Sequence, residues 1–237
     1  MRPVRRGSSP RSQDFQDYQD AKPILTDRLG TYCSYCERRF PAMLHVDHIH
    51  PKSVPQYRHL VGRWDNFLLA CGTCNPSKGT QAVELDEIYL PDRDNTAVVF
   101  TYRPDGTVEP SDAAGVSAEV AQRTLTLAGL ARTHPMPRTS ADLLKQRLEA
   151  WLVARDAQAD LGTCPESAAI RRRIVGQAVG CGFFSIWLTV FAEDANMRHR
   201  LIKAFPGTRD SGCFDPITAA PVSPAPNHDA LPHGGKI

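Results

Sequence analysis

Two pairs of cysteines form the clearest chemical pattern in the sequence. Cys33 and Cys36 make one pair, Cys71 and Cys74 make the other, and 34 residues separate the pairs. A gap of two residues lets both sulfurs of a pair converge on one ion, and tetrahedral zinc takes four thiolates at about 2.3 Å. Four protein ligands leave no open coordination position, so the spacing predicts structural zinc. Buried thiols or a redox dithiol are the alternatives.

Between the two pairs lie the residues best suited to hydrolysis. Asp47 and His48 are adjacent, Asn66 precedes a short apolar run, and Asn75 follows the last cysteine. A neutral imidazole with a pKa of about 6.5 can take a proton from water. A divalent ion can stabilise the charge that develops on a phosphate. Taken alone, an Asp–His pair is more often an ordinary polar pair, and the two asparagines suit a turn and a helix cap.

In their order and spacing these residues resemble the HNH, or ββα-metal, endonuclease family. The resemblance is to the subgroup with a four-cysteine zinc site, and it covers roughly residues 31 to 80. The pieces that carry it are CER, which starts at Cys36 of the first pair, VDHIHPKS, the block around Asn66, and CNPSKG.

The resemblance implies a role for each matching residue. His48 corresponds to the general base, and Asn66 to the residue that holds the loop between the strands and so orients the base. Asp47 and Asn75 correspond to ligands of a catalytic Mg²⁺ or Mn²⁺, and the four cysteines to ligands of structural Zn²⁺. Asn75 stands where many members have histidine, and its amide oxygen is a hard ligand that suits Mg²⁺ or Mn²⁺.

Two lysines near these residues are candidate nucleic-acid contacts. Lys78 lies close to a predicted helix start, where backbone N–H groups favour phosphate. Lys52 follows the Asp–His block and is the weaker candidate. A solvated lysine is the alternative at both positions.

The surrounding pattern predicts an α+β protein in which a zinc-stapled ββα-metal module precedes a mainly helical accessory region. Adjacent Asp47 and His48 would point to opposite faces of a regular strand, so the strand must bend or end there. We predict a flexible N-terminal tail (1–23), the nuclease module (24–90), a hairpin plus helical accessory region (91–205) and a disordered Pro/Gly-rich tail (206–237).

Within the accessory region, residues 96–102 and 107–109 read as a hairpin around a Pro-Asp-Gly turn. Apolar residues at helical spacing then predict helices over about 117–130, 140–158 and 165–179, and a long helix over 183–205. Ser117 is suited to cap the first of these helices and Pro165 to begin the third.

Composition limits the partners. The net charge is only +2, so binding of DNA, with RNA not excluded, would need a local basic patch. The longest apolar run, about ten residues, falls short of the roughly 20 that a bilayer requires. Seven cysteines without an export signal favour a reducing, cytoplasmic location and metal ligation over disulfides.

Residues 90–130 are similar, more weakly, to extensions of Septu-type HNH nucleases encoded in prokaryotic defence operons. That resemblance implies an anti-phage effector whose helical half docks a partner ATPase and which is silent until the ATPase binds. The contrasting hypothesis is a non-catalytic zinc module that binds nucleic acid or a protein.

Overall fold

The computed structural model describes residues 1–131 and 139–237. Two small antiparallel sheets precede a mainly helical half, which confirms the predicted α+β class. The strands are β1 (Leu44–His48), β2 (Phe67–Cys71), β3 (Phe100–Tyr102) and β4 (Val108–Pro110). The α-helices are α1 (Ala21–Leu29), α2 (Cys74–Lys78), α3 (Thr96–Val99), α4 (Ala118–Leu127), α5 (Thr139–Thr163), α6 (Ala168–Cys181), α7 (Phe184–Val190) and α8 (Ala195–Ala204).

The β1–β2 hairpin carries the Asp–His pair. Its antiparallel register runs from Leu44 opposite Cys71 to His48 opposite Phe67. Every residue of β2 is buried, as expected for an apolar run covered on both faces. Only two residues separate the end of β2 from the start of the short helix α2. The three elements form a ββα unit that places the second cysteine pair beside the strand carrying Asp47.

Two hydrophobic clusters support this unit. The first combines the hairpin, α1 and α4 with residues of the second sheet. The second lies among α5, α6, α7 and α8 around the fully buried Trp187. In the part of the chain that the structure describes, no helix is both long enough and apolar enough to cross a bilayer.

Glu37 joins the zinc segment to the helical half. It directly follows the first cysteine pair and has a φ of 64°, a left-handed conformation that non-glycine residues rarely adopt. Its buried carboxylate accepts hydrogen bonds from the Ser185 amide (2.8 Å), the Ser185 hydroxyl (2.6 Å) and the Tyr102 hydroxyl (3.3 Å). The Met1 amine forms an ion pair with the same carboxylate at 3.3 Å. One side chain therefore connects four separate segments.

Both ends of the chain differ from the predicted flexible tails. Met1, Val4 and Arg6 are buried, and the Arg6 guanidinium donates to Phe67 O at 2.6 Å. At the other end, eight residues of the Pro/Gly-rich segment are buried: Thr208, Ser211, Cys213, Phe214, Ala219, Ala225, Leu231 and Ile237. Both terminal segments are polar on average. The prediction of flexible tails rested on this average and overlooked the individual apolar residues that pack against the core.

Several accessory elements also begin or end away from their predicted positions. The predicted strand over 96–102 is a helical turn capped by Asn95 before it becomes β3. Helix α6 begins at Ala168 with Ser167 as its cap, rather than at Pro165. The predicted helix 183–205 is two helices, because Asp194 caps a new one. Ser117 caps α4 as predicted, its hydroxyl accepting a hydrogen bond from the Val120 amide.

Candidate functional site

The four paired cysteines converge on one point. Their sulfur atoms all lie within 4.8 Å of one another, and all four residues are buried. The Cys36 and Cys71 sulfurs are 3.8 Å apart. Tetrahedral zinc with bonds of about 2.3 Å requires sulfurs about 3.8 Å apart. The donor set therefore fits structural zinc, as the spacing predicts.

Arg38 neighbours the sulfur cluster, a position that sequence reasoning missed. Its guanidinium lies 3.4 Å from the Cys36 sulfur and 3.5 Å from the Cys71 sulfur, in donor geometry to both. Burial acts to lower the pKa of Arg38, but the two thiols outweigh burial and raise the pKa above its usual value. A positive charge at this distance compensates the excess negative charge of four thiolates on a divalent ion.

His48 lies at the end of β1 with its imidazole held on several sides. Its ring makes edge contacts with Tyr18 (centroids 4.7 Å apart) and Phe67 (5.2 Å). Nε2 lies 3.0 Å from the carbonyl oxygen of Val61. Because a carbonyl can only accept, Nε2 carries the hydrogen in the neutral ring and Nδ1 is the nitrogen left to take a proton.

The environment of His48 favours this neutral form. Burial lowers the pKa of the imidazole, and the nearby charges of Lys52 and Lys78 lower it further. The hydrogen bond to Val61 opposes this shift without cancelling it. An imidazole with a pKa below 6.5 is unprotonated at neutral pH, as a general base must be.

Asn66 fastens the loop that follows β1. Its Oδ1 accepts from the His50 amide at 2.8 Å, and its Nδ2 donates to the carbonyls of His50 (3.2 Å) and Leu60 (3.1 Å). The side chain thereby ties the residues after His48 to the segment that contains Val61. The role that the family resemblance implies for Asn66, holding the loop and so orienting the base, stays a prediction.

Asp47 is buried beside His48 with one oxygen incompletely satisfied. Oδ2 accepts from the Tyr35 hydroxyl at 2.5 Å. Oδ1 has Lys78 Nζ at 3.3 Å as an ionic partner, but no group is in hydrogen-bonding geometry to it. Burial raises the pKa of Asp47, and Lys78 and Tyr35 partly oppose the rise.

Lys78, predicted as a phosphate contact, lies at the end of α2 and lines the cleft described below, but its ammonium group is bonded inside the protein. Its ammonium group is buried and donates to the carbonyls of His48 (2.5 Å) and Ile49 (3.2 Å) while pairing with Asp47. Its donors are therefore engaged inside the protein. They hold the end of β1, which terminates at His48.

A cleft of about 240 Å³ opens beside these residues. Among its lining residues are Asp47, His48, Lys52, Asn75 and Tyr18. Asn75 lies in the first turn of α2 and is half-buried, and Thr73 rather than Asn75 is the cap residue. The underbonded Asp47 oxygen and the Asn75 amide give the cleft a hard-oxygen donor set, which fits Mg²⁺ or Mn²⁺ completed by water and phosphate.

Two further residues of the site, Tyr35 and Tyr18, were not predicted from the sequence. Tyr35 could have been found, because it lies between the cysteines of the first pair and so must sit beside the zinc segment. Tyr18 comes from 15 residues before Cys33, and nothing in its local sequence indicates the contact with His48.

Comparison with known families agrees with this geometry. Residues 33–81 match the family model described as HNH endonuclease. A comparison with curated proteins gave no match. The chain therefore contains an HNH endonuclease domain, and that domain brings together four cysteines in a zinc-binding arrangement. The weaker resemblance to defence-operon nucleases stays a prediction.

Proposed function

We propose that this protein is a metal-dependent endonuclease that hydrolyses phosphodiester bonds of DNA. The observation that carries the proposal is that one cleft is lined by Asp47, His48 and Asn75, with the His48 imidazole oriented by Val61 O. A base and two hard-oxygen ligands beside an open volume are what attack of water on a phosphate diester requires.

In this mechanism Nδ1 of His48 takes the proton of the attacking water while Nε2–H stays bonded to Val61 O. Asp47 Oδ1 and the Asn75 amide oxygen would hold Mg²⁺ or Mn²⁺, which supplies charge stabilisation at the phosphate and the leaving oxygen. Positioning a general base is typically worth about 10²- to 10⁴-fold in rate. We expect 5′-phosphate and 3′-hydroxyl products, as the family resemblance implies.

The remaining polar residues hold this arrangement in place. Lys78 anchors the strand end, Tyr35 fixes the Asp47 carboxylate, and Asn66 fixes the loop after His48. Lys52 is exposed at the cleft and carries a charge of the sign that attracts the phosphate backbone.

On the weaker resemblance we further propose that the protein is a cytoplasmic effector of an anti-phage system, docking a partner ATPase through its helical half. Co-purification with an ATPase, and cleavage that rises sharply when the ATPase is added, are the expected results. Full nuclease activity of the chain alone, unchanged by any ATPase encoded beside it, would remove this part of the proposal.

The decisive test is plasmid nicking in Mg²⁺ or Mn²⁺ by wild type and by His48→Ala, with duplex, single-stranded and RNA substrates in parallel. We expect His48→Ala to lose at least 10²-fold in rate while keeping its zinc and its DNA affinity. His59→Ala is the matched control, because His59 is exposed and is not among the residues that line the cleft.

Two results would count against the proposal. Nicking by His48→Ala at the wild-type rate would show that the base is misassigned. DNA binding by the wild type without cleavage of any substrate in either metal would favour the non-catalytic zinc module.

A further inference from the structure

A segment outside the matched residues forms one wall of the cleft. Asp17 caps a short 3₁₀ helix, Tyr18–Asp20, by accepting from the Gln19 amide at 2.9 Å. Phe15 anchors the segment, because its ring is buried and lies 5.9 Å from the ring of Trp64. The amide of Phe15 also donates to Gly62 O at 2.9 Å, next to the Val61 carbonyl that holds His48. Tyr18 is thus fixed at the cleft by both its own turn and its anchor.

The Tyr18 hydroxyl is bonded in a way that leaves its hydrogen unused. Lys52 Nζ donates to the hydroxyl oxygen at 2.8 Å, and Gln19 Nε2 donates to it at 3.2 Å. An ammonium has no acceptor, so the oxygen accepts from Lys52 and its own hydrogen points elsewhere. Lys52 Nζ also lies 4.4 Å from the centre of the Tyr18 ring, which holds the ammonium in place.

Tyr18 and Lys52 together present several donors at the cleft that holds His48. The hydroxyl offers one O–H, and the ammonium retains two N–H groups after bonding to Tyr18. No carboxylate forms an ion pair with Lys52 within residues 1–131 and 139–237. A tetrahedral anion with several acceptor oxygens is the ligand that such a set matches.

We propose that Tyr18 and Lys52 form a binding site for a backbone phosphate of the nucleic acid, next to the phosphate that is cleaved. In this proposal Tyr18 is also a positioning residue, since its ring packs against the His48 imidazole and restrains it. The identity of the ligand as nucleic acid rests on the proposed function. Tyr18 and Lys52 would thereby determine which part of the nucleic-acid strand lies across the cleft.

Binding tests the site without requiring cleavage. Fluorescence anisotropy measures the affinity of Tyr18→Phe, Lys52→Met and the double variant for a labelled DNA oligonucleotide. All variants are made in the His48→Ala background and measured without added Mg²⁺ or Mn²⁺. We expect each single change to weaken binding about tenfold and the double to weaken it by much less than the product, because the two groups act on one phosphate. Lys52→Met should also lower the slope of log affinity against log salt by about one.

Lys145→Met is the charge-matched control, because Lys145 is 74% exposed on α5 and pairs with Glu149. It should bind DNA as the background protein does. If Tyr18→Phe binds as tightly as the background, or if its effect and that of Lys52→Met simply multiply, the paired phosphate site is refuted. Zinc content and circular dichroism, compared for each variant, show whether its fold is intact.

Kinetics in the otherwise wild-type protein test the positioning role. Tyr18→Phe keeps the ring and should raise KM while leaving kcat within about twofold. Tyr18→Leu loses the aromatic ring and should lower kcat as well, so the phenylalanine variant rescues kcat but not KM. Equal kcat values for the two variants would refute the positioning role.

The two proposals fail separately. If the wild type cleaves nothing but the binding losses follow the pattern above, the phosphate site stands and the nuclease proposal falls. If the wild type cleaves DNA and the Tyr18 and Lys52 variants match it in affinity and KM, the nuclease proposal stands and the phosphate site falls.

Discussion

Lys78→Met is the substitution whose outcome follows most directly from the structure. The change keeps the length of the side chain and removes the ammonium that pairs with Asp47 at 3.3 Å and donates to the carbonyls of His48 and Ile49. Both charged side chains are almost fully buried, with 4% and 1% exposed. Removing one partner leaves an uncompensated carboxylate in the interior, which costs about 3–5 kcal/mol. That loss is a large share of the ~5–15 kcal/mol typical of a folded domain.

Urea unfolding of the zinc-loaded protein, followed by tryptophan fluorescence, measures this loss. We expect Lys78→Met and Asp47→Asn each to destabilise strongly, and the double variant to cost about 1–3 kcal/mol less than their sum. Lys145→Met, on the exposed face of α5, should stay within about 0.5 kcal/mol of wild type. A loss below about 1 kcal/mol for Lys78→Met, or an additive double variant, would refute the account of Lys78 as an internal anchor.

The pH dependence of Lys78→Met has a definite sign. Burial already raises the pKa of Asp47, and loss of Lys78 removes the main opposing charge. The folded state then binds a proton more readily than the unfolded chain does, so stability falls as pH rises. The deficit of Lys78→Met relative to wild type should therefore be smaller at pH 5 than at pH 7.5.

Two further predictions concern zinc and catalytic pH. Removing zinc with a strong chelator, or replacing Cys71 with Ser, should cause the β1–β2 hairpin and α2 to unfold. Without the metal, the four buried sulfurs cannot hold the two cysteine pairs together. Hydrogen exchange that stays slow in these elements after zinc loss would contradict this prediction. For catalysis, burial lowers the pKa of His48, so the neutral base persists to lower pH. The midpoint of the acid limb of the kcat/KM profile, measured in Mg²⁺, should therefore lie below pH 6.5. A midpoint above pH 7 would contradict this prediction.

The site was predictable from sequence where its chemistry is local. Four cysteines at fixed spacing specify a zinc cluster because two residues between ligands set the geometry of each pair. Asp47, His48 and Asn75 were recognisable by order along the chain, and the structure brings all three to one cleft. Their catalytic roles remain predictions that the nicking and binding assays address.

The parts that sequence reasoning missed depend on tertiary contacts. A lysine at a helix start reads as a phosphate contact, but Lys78 is buried by the strand end that it bonds. Tyr18 lies in a polar segment whose single buried aromatic, Phe15, fixes its position. The split between α7 and α8 depends on Asp194, whose carboxylate accepts a capping hydrogen bond from the Met197 amide and so begins a new helix. A prediction of helices from hydrophobic periodicity takes no account of such single hydrogen bonds.

The contacts of Glu37 bear on how such a domain can be transferred between proteins. A recombination event that moved only residues 33–81 would carry this carboxylate into a host lacking Ser185 and Tyr102, and would leave it stranded in an apolar interior. The same event would leave Arg6 behind and uncover the Phe67 carbonyl. The HNH domain of this chain therefore depends on contacts with the rest of the protein at several points. We expect the domain and the helical half to evolve together.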